Sequence, residues 1–264
     1  MIKTAKKAAE HLVFWVVLLF LYTPIVLLAF YSFTDSGMIG TAPHFSVQNY
    51  ITLFSEEALR EMMGGTVLLA LTVSLISTLL GSIGAVGAYY SKKLPRQLVE
   101  LANEIPVVNA DVVTGFSVCV LLIILMRMDK NTFIPLVIAQ TTLCTPFVYL
   151  SVYPRLVQMD DSLYEAAMDL GCNGFQALTK AVLPQMMPGV LNGFVTAVTL
   201  SLDDYFIATY TKPSSFDTIS TYVVNATRGA NTEIKTALWA LSAIIFLLVV
   251  AAVALMNLGG SNEK

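Results

Sequence analysis

Asp111, Asp203 and Asp204 stand inside long apolar stretches of the chain. An aspartate near the centre of a membrane helix costs about 2.5–3.5 kcal/mol to insert, so each is a candidate for a substrate or ion pathway. Asn192, Thr196, Thr199 and Asp203 follow one another at spacings of 4, 3 and 4 residues. With about 3.6 residues per turn, that spacing draws one polar stripe ending in a carboxylate. Asp204 falls about 100° further round, on the stripe of Gly193, Ala197 and Leu200, where a neighbouring helix can approach closely. Asp111 is followed on its face by Thr114, Gly115 and Val118 and preceded by Pro106, a broken and polar midpoint suited to a passage. These groups have cation chemistry: carboxylates supply charge, and Tyr205, Phe206 and Tyr210 offer cation–π contact worth about 0.5–2 kcal/mol each. Each also has a plainer use. An aspartate can accept a buried hydrogen bond, paired carboxylates can relay protons, and aromatic rings at the end of a span anchor it at the interface.

The elements that must position these residues are membrane helices. The 264 residues are 56% hydrophobic and 12% charged, and mean hydropathy is +0.72, far from a soluble domain. Apolar stretches fall at 12–33, 64–90, 98–126, 132–152, 189–210 and 236–257. A bilayer core about 30 Å thick needs about 20 apolar residues per helix, which predicts six spans. The first has a basic flank but no small-residue cleavage site, and is read as a permanent span rather than a signal peptide. Lys3, Lys6 and Lys7 agree with Lys92, Lys93 and Arg96 in placing the N-terminus and the second connection in the cytoplasm. The C-terminus and segment 153–188 then lie inside as well, and 34–63, 127–131 and 211–235 outside. Nine basic residues fall inside (Lys3, Lys6, Lys7, Lys92, Lys93, Arg96, Arg155, Lys180, Lys264) against six outside (Arg60, Arg127, Lys130, Lys212, Arg228, Lys235).

Several classes are excluded by what accompanies these spans. Cys119, Cys144 and Cys172 are scattered without CxxC spacing and read as packing residues. His11 and His44 have no acidic or cysteine partner at ligand spacing, so no metal site is expected. Net charge is −3 and no basic tract occurs, which argues against nucleic acid. No G-x-x-x-x-G-K-[ST] loop is present, so ATP and its magnesium have no site in this chain. Nor is there G-x-S-x-G or H-E-x-x-H chemistry, and no catalytic residue is assigned. Gly81, Gly84 and Ala88 on the second span form a close-packing surface for a neighbouring helix or a partner subunit.

Residues 165–184, EAAMDLGCNGFQALTKAVLP, interrupt the apolar pattern. Ala166 and Ala167 are helix formers of little bulk, and Gly171 is placed to end the helix with a left-handed residue. The segment is acidic, unlike a basic surface helix lying on lipid headgroups. Its pattern resembles the EAA loop of importer-type ABC transporter permeases through Glu165, Ala166, Ala167, Gly171, Leu183 and Pro184, with Ala181 where isoleucine is usual. The resemblance implies that this helix sits in a groove of a cytoplasmic ATPase subunit, with Glu165 as polar anchor.

Over nearly its whole length the chain resembles the C-type permease of spermidine/putrescine importers. The supporting residues are Tyr22, Pro24, Ile25 and Ser32-Phe33; Phe45 and Asn49-Tyr50; Pro106 and Asp111; Cys144-Thr145-Pro146-Phe147; and Ser201-Leu202-Asp203-Asp204. The expected fold is therefore an all-α integral membrane protein with six transmembrane helices of the type I ABC importer permease kind. One permease domain would span 1–264, with a cytoplasmic EAA coupling loop at 153–188, in a bacterial cytoplasmic membrane and with both termini inside. The resemblance implies a second homologous permease, two ATPase copies and an extracytoplasmic polyamine-binding protein as partners, besides membrane lipid. A polyamine carries ammonium groups separated by methylenes, which suits carboxylates and ring faces along a passage. An importer of another small solute is the alternative. An ion-coupled secondary transporter would share the intramembrane acids, but it needs no EAA loop, and no inverted repeat is apparent.

Overall fold

The computed structural model describes residues 2–34, 44–160, 162–228, 238–247 and 250. Their regular secondary structure is helical, with one isolated antiparallel bridge between Thr34 and Phe45 and no strand among the described residues. In chain order the helices are α1 (Ile2–Ser32), α2 (Gln48–Ser55), α3 (Glu57–Tyr89), α4 (Lys93–Val108), α5 (Asp111–Leu125), α6 (Ile134–Val157), α7 (Ser162–Asp169), α8 (Gly174–Asp203), α9 (Phe206–Thr211), α10 (Ile219–Arg228) and α11 (Leu238–Leu247). Within α1, α3, α6 and α8 lie four stretches long and apolar enough to cross a membrane, and the bent pair α4–α5 makes a fifth if counted as one span. Half of the expected sixth, 236–257, lies outside the described residues, and the rest carries the shorter apolar helix α11. The chain forms two compact units, residues 1–61 with 223–264 and residues 62–222.

In the second unit α6 is the central helix, approached from two sides by small residues. A Cβ on Gly81 of α3 would lie 2.8 Å from Val148, and one on Gly193 of α8 would lie 3.0 Å from the same side chain. Gly189 is as tight against the Ser151 carbonyl, at 2.8 Å. With no water to exclude inside a bilayer, such contact between small residues is what holds helices together. On α3 the buried face is Gly81, Ala85 and Ala88, so part of the expected packing surface is taken up within the chain. Val148, Val152, Leu156, Val182 and Met186 complete the core around it.

Two spans differ from expectation. The third was expected as one helix over 98–126 with Asp111 near its middle, but α4 and α5 meet at 109°. Pro106 withholds an N–H near the end of α4, and Asn109 and Ala110 are extended, so Asp111 opens a new helix. The fifth, expected at 189–210, begins at Gly174 and ends at Asp203. Residues 174–188, expected as part of a loop, are the first turns of α8. Pro184 has no N–H for the carbonyl four residues back, and the helix widens to a π turn over Leu178–Val182.

In the first unit the end of α1 is tied to α2. The Asn49 side-chain amide donates to the Ser32 and Thr34 carbonyls at 3.0 and 2.8 Å, and the Ser32 and Tyr50 hydroxyls lie 2.9 Å apart. Phe33 stacks on Phe45, with ring centroids 6.1 Å apart. Residues scattered through the sequence resemblance thus form one local knot.

Candidate functional site

The two helix breaks of the second unit pack against each other. Gly115 of α5 lies so close to Ile207 of α9 that an added Cβ would meet its side chain at 3.1 Å. The Cys119 thiol donates to the Tyr210 carbonyl at 3.4 Å, and the Phe116 and Tyr210 rings meet edge to face at 5.9 Å. Asp111, in the first turn of α5, is exposed.

The adjacent aspartates at the end of α8 have different surroundings. Asp204 is 8% exposed, and both its oxygens are engaged. It accepts from the Ile207 and Ala208 N–H groups at 3.0 and 2.9 Å and from the Gln140 side-chain amide at 2.9 Å. It therefore supplies acceptors to the first turn of α9 while tying α8 to α6. Gln140 is fully buried and accepts from the Ser201 hydroxyl at 2.8 Å. Asp203, one residue away, is exposed, and its carboxylate has no hydrogen-bond partner among the described residues.

The rest of the polar stripe is partly occupied. Thr196 donates to the Asn192 carbonyl and Thr199 to the Val195 carbonyl, each at 2.9 Å, as helix threonines commonly do in apolar surroundings. Tyr205 lies edge to face with Phe206 at 5.2 Å, and its carbonyl accepts from the Thr209 hydroxyl at 2.6 Å. Beyond α9, Lys212 pairs with Asp217 at 2.9 Å and caps the Phe216 carbonyl, closing a tight loop.

At the other end of α6 and α8 lies the acidic segment. Glu165, Ala166 and Met168 of α7 face outward, while Tyr164 turns inward onto Tyr90, with ring centroids 5.3 Å apart. Gly171 has φ +89°, a conformation most side chains resist. Around it the Gly171 N–H returns to Met168 and the Cys172 N–H to Ala167, the paired bonds of a Schellman ending. Asn173 and Gln176 then cap α8 reciprocally. Asp160 accepts from the Ser162 N–H and hydroxyl, which holds its carboxyl below the usual range. Leu170 and Phe175 are 88% and 75% exposed, and Leu183 and Pro184 are also at the surface.

Gln140 and the Tyr90–Tyr164 pair were not anticipated, and Ser201 was named as part of the resemblance without a role of its own. A lone glutamine in an apolar span was the available signal for the first, and the Asn-x-x-Gln spacing for the α8 cap.

The description "binding-protein-dependent transport system inner membrane component" matches residues 3–258. The chain belongs to that family. Such a component is a multi-pass inner-membrane protein, in keeping with the apolar helices above. Within the family, the putrescine transport system permease protein PotI of Escherichia coli (strain K12) is 30% identical over 223 residues, 82% of this chain and 79% of its own length. The spermidine/putrescine transport system permease protein PotC of the same strain is 28% identical over 234 residues, 88% of each chain. A solved bacterial ABC transporter involved in the import of the acidic polysaccharide alginate shares the fold, with TM-score 0.74 and 18% identity over 97% of this chain and 96% of that one.

Proposed function

We propose that the chain is a permease subunit of an ATP-driven polyamine importer and forms half of its translocation pathway with a homologous second permease. Asp203 and Asp111 supply charge to the passing cation, with Asn192, Thr196, Thr199 and Tyr205 along its route, while Asp204 shapes the end of α8. What carries the reading is an exposed carboxylate at a helix break, without a side-chain partner among the described residues, in a chain whose relatives are putrescine and spermidine/putrescine permeases. The fold alone does not choose the cargo, since it is shared with an importer of an acidic polysaccharide. Carboxylates repel such an anion and attract ammonium groups.

The chain crosses the membrane six times with both termini in the cytoplasm, and Glu165, Ala166, Ala167, Gly171, Leu183 and Pro184 form the surface that receives an ATPase subunit. The exposed Leu170 and Phe175 support that role, because apolar side chains on a polar segment gain from being covered. ATP and magnesium are bound by the ATPase pair, and an extracytoplasmic binding protein delivers the polyamine.

The reading is tested by uptake of labelled spermidine and putrescine into proteoliposomes holding the co-purified complex and its binding protein. ATP-dependent uptake of either is expected. Co-purification of an ATPase with no uptake of either would move the cargo elsewhere in the family, and absence of an ATPase would overturn the importer assignment.

A further inference from the structure

We infer that Gln140 is a positioning residue for transport, holding Asp203 in place through Ser201 and Asp204 without itself meeting the cargo; this rests on the assignment of Asp203 to the pathway. The argument begins with what touches Gln140. Its amide nitrogen donates to Asp204 at 2.9 Å and its amide oxygen accepts from Ser201 at 2.8 Å, and it is fully buried on α6. Ser201 and Asp204 lie on either side of Asp203 in the chain. The central helix therefore grips the end of α8 at two points that bracket the exposed carboxylate.

The amide makes both contacts at once, with its nitrogen donating and its oxygen accepting. The Asp204 carboxylate requires a donor, and the Ser201 hydroxyl, once it donates, requires an acceptor. Asp204 in turn accepts the Ile207 and Ala208 N–H groups, which sets where α8 stops and α9 begins. Without the amide, Asp204 keeps its backbone partners but loses its tie to α6, and the Asp203 carboxylate is free to swing with the helix end. In a pathway, displacement by about 1 Å is enough to lower turnover strongly.

The test uses the whole complex in proteoliposomes with its binding protein and labelled spermidine. Gln140→Leu removes donor and acceptor together. Gln140→Glu keeps the shape and the acceptor but sets one carboxylate against another. Gln140→Glu with Asp204→Asn restores the donor–acceptor contact between positions 140 and 204 in reverse, and Asp204→Asn alone is its reference, because in both the Ala208 N–H loses the oxygen it shares with Gln140. Both Gln140 single variants are expected to co-purify with the ATPase and keep ATP hydrolysis stimulated by the binding protein, while spermidine uptake falls by about tenfold. The double variant is expected to take up spermidine clearly faster than Asp204→Asn alone, as coupled neighbours do in such cycles.

Parental uptake by both Gln140 variants, or a double variant no better than Asp204→Asn alone, would overturn the inference. Where the Gln140 single variants do not assemble, the double variant decides: assembly with uptake supports the positioning role, and assembly without uptake removes it. Asp203→Asn separates the two claims. Parental uptake by that variant defeats the pathway assignment itself, whereas lost uptake there with parental uptake by the Gln140 variants defeats the positioning role alone.

Discussion

The α8–α9 break and the segment around α7 are both polar interruptions of an apolar chain, yet they resolve their polarity in opposite ways. At the break, Asp204, Gln140 and Ser201 satisfy one another and the first turn of α9 inside the protein, leaving one carboxylate, Asp203, open. Around α7 the backbone is finished by its own caps, but the apolar Leu170 and Phe175 and the acidic Glu165 all point outward. The first region is complete within the chain and displays a single group. The second is shaped within the chain and stays exposed among the described residues. A buried polar network fixes geometry, and an exposed apolar rim on a polar segment is a contact surface.

Substitutions can break that contrast. The largest effect is expected from Asp204→Leu, which strips acceptors from Gln140 and from two N–H groups at a cost of about 1–3 kcal/mol for each buried group left unpaired. Thermal unfolding of the solubilised complex should show a steep loss of stability; an unchanged midpoint would mean the network is ornamental. Gly171→Val comes next. Nothing crowds a Cβ there, so the cost is the left-handed backbone alone, about 1–2 kcal/mol. It should loosen α7 and reduce ATPase co-purification while thermal unfolding of the α8–α9 region is spared.

Leu170→Ser with Phe175→Ser should leave the stability of the chain nearly unchanged and still weaken retention of the ATPase, sharpening the view that this rim serves a partner. Retention equal to the parent's would place the contact elsewhere. The smallest effect is expected from Asp160→Asn. The Asp160 carboxyl is held below its usual range by Ser162, so its contribution is present above the ordinary carboxylate range and is lost as pH falls through the folded value. Parent and variant should differ slightly near neutrality and converge in acid; a difference that grows in acid would contradict the assignment.

How much of this was legible in the sequence follows from the range of each interaction. Apolar length revealed most spans, because crossing a bilayer is a composition requirement. The ending of α7 at Gly171 was legible because helix termination is local. The breaks were not. Pro106 hinted at a disturbance in the third span, but the 109° turn that sets Gly115 of α5 against Ile207 of α9 joins residues far apart in the sequence. The same limit hid the division between the two aspartates. Helical periodicity separated Asp203 from Asp204 by about 100° of arc, but only packing brought Gln140 from 64 residues away to engage one of them.

The most direct test of the account is ATP-driven spermidine uptake by the Asp203→Asn complex, with its unfolding midpoint and ATPase content measured on the same preparation. The account predicts parental stability and ATPase content with uptake reduced by tenfold or more. Parental uptake from an intact Asp203→Asn complex would contradict it.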